Sequence, residues 1–225
     1  MALRSEAWNC RMMRLAALLV VASFSYAAEY PVLHRHLRRD QPGRLFIDTE
    51  GVRYSETKLD KKKPHDYRWG WIDIQKLVLA PDRVEITTYK DVKWLADRDQ
   101  SLVFSGKNLE TAYRLLRDYL PRRLVAEVAL KGFEAVAEVP AKRLDGRGGF
   151  DGTLKIGADV VVFQSEAAEG SHTWNLDEVE NISSSDPLEL TIASLGSDHR
   201  LQLKKPLPEG LYDSLWRKLN VRRTH

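Results

Sequence analysis

Apolar and polar residues alternate with a period of two over much of this chain, the pattern of strands with one buried face. Leu45 and Ile47, then Val52 and Tyr54, alternate with polar neighbours. The runs Ile74 to Ala80, Val84 to Tyr89 and Leu102 to Phe104 continue the series, and Asp48-Thr-Glu-Gly51, Pro81-Asp82 and Ser105-Gly106 supply turns between them. The period then changes. Leu109, Ala112, Tyr113, Leu116 and Leu120 share one helical face, with Asn108 placed to cap the helix and Pro121 to end it. Leu124 to Leu130 form a further apolar stretch.

The same succession is then written a second time. Gly43-Arg-Leu-Phe-Ile47 recurs as Gly152-Thr-Leu-Lys-Ile156, and Trp69, Ile74 and Leu77 are echoed by Trp174, Val179 and Ile182. Val84-Glu-Ile-Thr87 matches Leu188-Glu-Leu-Thr191, and Leu102 and Phe104 match Leu201 and Leu203. Glu110, Tyr113 and Leu116 match Glu209, Tyr212 and Leu215. Strands are expected at Val160 to Gln164, Thr173 to Leu176, Leu188 to Ala193 and Leu201 to Leu203, with another near Val136 to Val139. A helix beginning near Pro208-Glu209 should bury Tyr212, Leu215, Trp216 and Leu219.

Six or seven short strands closed by one helix, written twice, resemble the pleckstrin-homology-like (PH-like) fold and its GRAM-type relatives. The opening Gly-x-Leu-x-Ile hairpin, the Trp-x(4)-Ile/Val-x(2)-Leu/Ile segment and the final helix with Trp216 carry the resemblance; the first copy has Arg117 in the place of Trp216. The whole also looks like an exported bacterial tandem family. The resemblance implies a mainly β protein of two PH-like barrel or sandwich modules, over residues 28–130 and 131–225. In phosphoinositide-binding members, basic residues around the first hairpin hold the phosphates. The corresponding turns here, taken as Asp48-Thr-Glu-Gly51 and Gly157-Ala-Asp159, are acidic or neutral and would repel them.

Residues 1–27 precede this pattern and have their own logic. Arg4, Arg11 and Arg14 lead into the apolar run Leu15 to Phe24, followed by the small-residue site Ser25-Tyr26-Ala27, the three-part form of a secretory signal peptide. A run of ten residues falls short of the roughly 20 needed to span a bilayer. Cleavage after Ala27 would remove the single cysteine, Cys10, and lower the formal charge from +3 to +1. Residues 28–130 then carry 20 basic and 16 acidic side chains, and residues 131–225 carry 12 and 15. So balanced a charge argues against a dedicated nucleic-acid binder.

Catalytic patterns are missing. There is no Gly-x-Ser-x-Gly elbow, and Gly146-Arg-Gly-Gly149 lacks the lysine of a phosphate loop. His34 and His36 would share a strand face, but nothing nearby in sequence completes a metal site. No cofactor and no enzymatic activity are expected. The expected partner is a protein or peptide at the cell envelope, held at a sheet edge or in the groove beside a helix. The alternative is an anionic membrane surface, met by the basic first module, and a small hydrolase or metal-dependent enzyme ranks last. Contact candidates are Trp94, in a polar insertion with no second-copy counterpart, and the basic residues Arg38, Arg39, Lys61, Lys62 and Lys63.

Overall fold

A computed structural model describes residues 28–36, 39–57, 66–91, 99–146, 148–167, 169–195 and 197–222. Residues 1–27, where a signal peptide is expected, lie outside these residues. No described helix is long and apolar enough to cross a membrane.

The protein is mainly β. Seven strands come first: β1 (Ala28–His34), β2 (Gln41–Ile47), β3 (Gly51–Glu56), β4 (Asp66–Gly70), β5 (Ile74–Leu79), β6 (Arg83–Asp91) and β7 (Asp99–Gly106). Helix α1 (Tyr113–Tyr119) follows, then the short strand β8 (Leu124–Ala126). Seven more strands come next: β9 (Ala135–Arg143), β10 (Phe150–Gly157), β11 (Val160–Ser165), β12 (His172–Asn175), β13 (Val179–Ser183), β14 (Glu189–Ser194) and β15 (Ser197–Leu203). Helix α2 (Leu211–Arg222) closes the series.

The hydrogen-bonded order runs β13-β14-β15-β9-β10-β11-β12, then β8, then β5-β6-β7-β1-β2-β3-β4. Each set of seven therefore has the same internal order, with its first strand paired to its last. Two separate apolar cores lie beneath. One gathers residues between Tyr30 and Val128, including Leu45, Tyr54, Phe104 and Leu116; the other gathers residues between Val139 and Leu219, including Leu154, Phe163, Trp174 and Leu215.

The recurring glycine has a packing role. A Cβ on Gly43 would come 2.3 Å from the Tyr54 ring, and one on Gly152 would come 2.9 Å from the Phe163 ring. In both places the aromatic of the neighbouring strand lies across the glycine, whose missing side chain admits the ring.

Several sequence expectations are corrected. Residues 28–34 form a strand, so the hairpin at Gly43 joins the second and third strands and not the first and second. Exposure alternates along this strand, with Tyr30, Val32 and His34 inward, but Pro31 and Leu33 put apolar residues on its outer face and mask the alternation in the sequence. Asn108 does not cap with its side chain; it turns the chain at φ 58°, and Leu109–Ala112 begin the helix as a 3-10 turn. Trp69 and Trp71, two residues apart, would share one face of a continuous strand, but the strand stops at Gly70 and a 3-10 turn follows, so Trp71 leaves that face. It stacks on Tyr119 with centroids 5.0 Å apart. Trp216, expected inside, is 48% exposed.

The correspondence between the two sets of strands also differs by two residues, at two strands, from the one expected from sequence. Val84 pairs with Phe104 and Ile86 with Leu102; in the second set Leu190 pairs with Leu201 and Ile192 with His199. Val84 thus corresponds to Leu190 and Leu102 to His199, while Leu188 lies exposed. A slip of two keeps every side chain on its own face, so alternation alone could not detect it.

Candidate functional site

Most of the contact residues expected from sequence, namely Trp94, Arg38, Lys61, Lys62 and Lys63, lie outside the described residues. Arg39 is exposed in the β1–β2 loop, beside exposed Arg35 and His36. Because β1 exists, this basic loop is the first hairpin of the chain, and the acidic Asp48-Thr-Glu-Gly51 turn is the second. The repulsion of phosphate inferred from that turn therefore concerned the wrong hairpin.

His34 and His36 take different surroundings. His34 is buried among Tyr54, Tyr67 and Phe104, with its ring stacked 4.8 Å from Phe104. His36 packs edge-on against it at 4.1 Å from the exposed side. The Tyr54 hydroxyl donates to Gln41 O at 3.1 Å, and burial, reinforced by Glu56 and Tyr67, pushes its pKa up to about 12. No group of three or more metal-ligating side chains occurs among the described residues.

The sheet edges offer a more specific arrangement. In the first set, β8 lies parallel against β5, pairing Leu77 with Leu124, Val78 with Val125 and Leu79 with Ala126. The Leu77 N–H donates to Arg123 O at 2.9 Å and the Glu127 N–H to Leu79 O at 2.8 Å. The chain thus fills this edge with its own extended segment, burying Leu124 and Ala126. The corresponding strand of the second set, β13, ends the sheet, and no described strand pairs with its outer side. β5 and β13 share even a bulge near their starts, at Ile74/Lys76 and Val179/Asn181.

Beside β13 runs α2. The Tyr212 hydroxyl donates to Ile182 O at 3.3 Å, the residue that corresponds to Leu77. Trp216 stands one turn further along the same stripe of the helix, half exposed, while Leu215 and Leu219 enter the core. Its first-set counterpart is Arg117, on the helix whose groove β8 occupies.

A second concentration of functional groups sits where the halves meet. Ala126 of β8 pairs with Thr173 of β12, and Thr173 Oγ1 donates to Val128 O at 2.6 Å while accepting from Leu130 N–H at 3.0 Å. The Tyr113 hydroxyl donates to Asn175 Oδ1 at 3.1 Å, and Asn175 Nδ2 donates to Glu178 Oε1 at 3.0 Å. Burial pushes the Glu178 pKa up to about 7, despite the opposing hydrogen bonds from Asn175.

Nearby, the rings of His172, Trp174 and His199 lie 4.4 to 5.2 Å apart. Burial, with the other histidine and Arg143 adding to it, holds His172 well below its ordinary pKa; burial and Arg143 bring His199 down to about 4. The Arg143 Nε–H donates to Gly170 O at 3.0 Å. Sequence reasoning missed Arg143, Glu178 and His199. His199 was hidden by the register: aligned two residues away, it is not seen to replace Leu102.

No family model and no curated protein matches the chain. Among solved structures, the C-terminal domain of an unknown protein from Leishmania infantum is similar at a TM-score of 0.33 and 18% identity, over 50% of this chain and 99% of that one. The Spt16D Pob3N heterodimer is similar at a TM-score of 0.30 and 9% identity, over 75% of this chain and 82% of that one. Likenesses this distant carry no functional content.

Proposed function

We propose that the chain is an exported, non-enzymatic recognition protein of two PH-like modules, which binds a protein partner by adding one of the partner's extended segments to the outer edge of β13, beside α2. The observation that carries this reading is the different treatment of two equivalent edges. β5 is covered by β8, whereas β13 ends the sheet with an aromatic stripe, Tyr212 and Trp216, along its flank. Main-chain pairing supplies affinity in such an addition, and alternate side chains supply selectivity. The internal segment Leu124-Val125-Ala126 shows the chemistry that the groove of the first set accepts: small and branched aliphatic residues at alternate positions. Export is supported by the signal-like pattern of residues 1–27.

A peptide copying residues 123–128 is the direct probe. Titrated into the mature protein, it should shift the backbone amide resonances of β13 and the Trp216 indole. Replacing Trp216 with arginine, the first-set residue, should weaken this binding at least several-fold and leave the fold intact. Amide shifts confined to other strands, or binding indifferent to W216R, would remove the reading.

A second reading retains an anionic membrane as the partner, favoured by the basic β1–β2 loop with exposed Arg35, His36 and Arg39. Each such charge near an anionic surface contributes about 1 kcal/mol. Sedimentation with anionic vesicles across a salt series distinguishes it, since contact by charge fades as salt rises.

A further inference from the structure

At the junction of the two halves lies a cavity of about 210 Å³, walled by β5 and β8 on one side and by β9, β12, β14 and β15 on the other. Its volume equals roughly seven water molecules' share of the liquid, room for a small organic molecule. Trp174 lines it, 1% exposed, and the indole Nε1–H is buried with no acceptor reaching it among the described residues. An indole N–H can only donate, and leaving one buried without a partner costs about 1–3 kcal/mol.

The first set shows that this chemistry is a substitution and not a requirement of the fold. Where the second set has His172, Arg143 and His199, the first has Tyr67, His34 and Leu102. The first set places one such nitrogen-bearing side chain, His34, among these positions, and the second set places three.

Six titratable groups line the cavity: Lys76, Glu127, Arg143, His172, Glu178 and His199. Glu127 is held by Arg83 at 2.9 Å, and Glu178 accepts the amide of Asn175. Lys76 and Arg143 are the cations, and Ser194 and Ser197 add hydroxyls. Donors therefore outnumber acceptors. Val78, Leu124, Val125 and Leu195 form an apolar flank, and Lys76 and Ser197 stand exposed at its edge.

We propose that this cavity is a binding site for a small carboxylate of about the size of benzoate, its oxygens accepting from the Trp174 indole and the Arg143 and His199 side chains, and its body against the aliphatic flank. Glu178 opposes such a ligand only when ionised. Burial, with Asp177 adding to it and Arg117 and the Asn175 hydrogen bonds opposing it, raises its pKa to about 7, so binding should weaken as pH rises through that value.

The test is a titration of the mature protein with benzoate at pH 6, followed by the Trp174 indole N–H resonance, assigned through Trp174→Phe, with affinities in all variants read from the backbone amide shifts of residues lining the cavity. The expected result is a saturable downfield shift. His199→Leu restores the residue of the first set, and it and W174F should each weaken binding by about tenfold, the loss of one hydrogen bond to a charged group. The amide spectra of both variants should keep their dispersion. Glu178→Gln should abolish the weakening between pH 6 and pH 8. An unmoved Trp174 resonance, unchanged affinity in both variants, or equal binding of inorganic phosphate would overturn the proposal.

Discussion

Replacing Glu178 with glutamine isolates the energetic consequence of burying a carboxylic acid between two cores. Glu178 is 7% exposed, and burial, the largest influence on it, raises its pKa from 4.5 to about 7. Between these values the folded protein keeps a proton that the unfolded chain releases, so wild-type stability must fall as pH rises through this window. A shift of that size corresponds to about 3 kcal/mol, at 1.36 kcal/mol per pH unit. Glutamine cannot ionise, yet its side-chain oxygen can accept the Asn175 amide as Glu178 Oε1 does. The stability of E178Q should therefore match the wild type near pH 4.5 and exceed it by up to about 3 kcal/mol at pH 8.

His199 acts in the opposite sense. Its pKa is lowered to about 4, so it destabilises the folded state as pH falls from 6.5 toward 4. That contribution is common to both proteins and cancels in their difference. Urea denaturation followed by tryptophan fluorescence, at matched ionic strength from pH 4.5 to 8, measures the difference directly. A gap independent of pH, or one widening toward acid, would refute the assignment of the raised pKa to buried Glu178.

The glycine–aromatic pairs predict that Gly43→Ala and Gly152→Ala each destabilise by about 1–3 kcal/mol, because the added Cβ meets a ring and a neighbouring carbonyl; unchanged denaturation midpoints would refute the packing role. Tyr113→Phe removes the donor to Asn175 across the junction and should cost about 1 kcal/mol in the same assay, with no loss if that bond contributes nothing. N-terminal sequencing of exported protein should begin at Ala28, and retention of Met1 would refute cleavage. In the vesicle assay, Arg35→Ala and Arg39→Ala together should lower sedimentation at low salt if the membrane reading holds, and leave it unchanged if β13 is the contact.

Much of the strand series was legible because each half-buried strand advertises its inward face at every second residue. The first strand was not, since Pro31 and Leu33 put apolar groups on its outer face as well. Nor was the fate of Leu124 to Leu130, whose apolar character announced burial but not a partner. It became the strand that covers β5, a role defined by an edge nearly 50 residues earlier in the chain. Trp216 shows the converse error: helical spacing marked it as core, and only the side of the helix on which β13 lies leaves it half exposed.

The candidate sites were harder still. His172, Arg143 and His199 are far apart in sequence and carry no motif spacing; they meet because antiparallel pairing brings β9, β12 and β15 around one tryptophan. By itself the sequence determined a mainly β chain, its turns and helices, and the presence of two similar successions, all of which follow from local periodicity. Tertiary structure alone decided the register between the two sets of strands, which edge β8 covers and which has no partner among the described residues, and which polar groups share a cavity. The physical reason is that a two-residue slip, an edge partner and a buried donor are invisible to periodicity and are fixed only by which strands lie side by side.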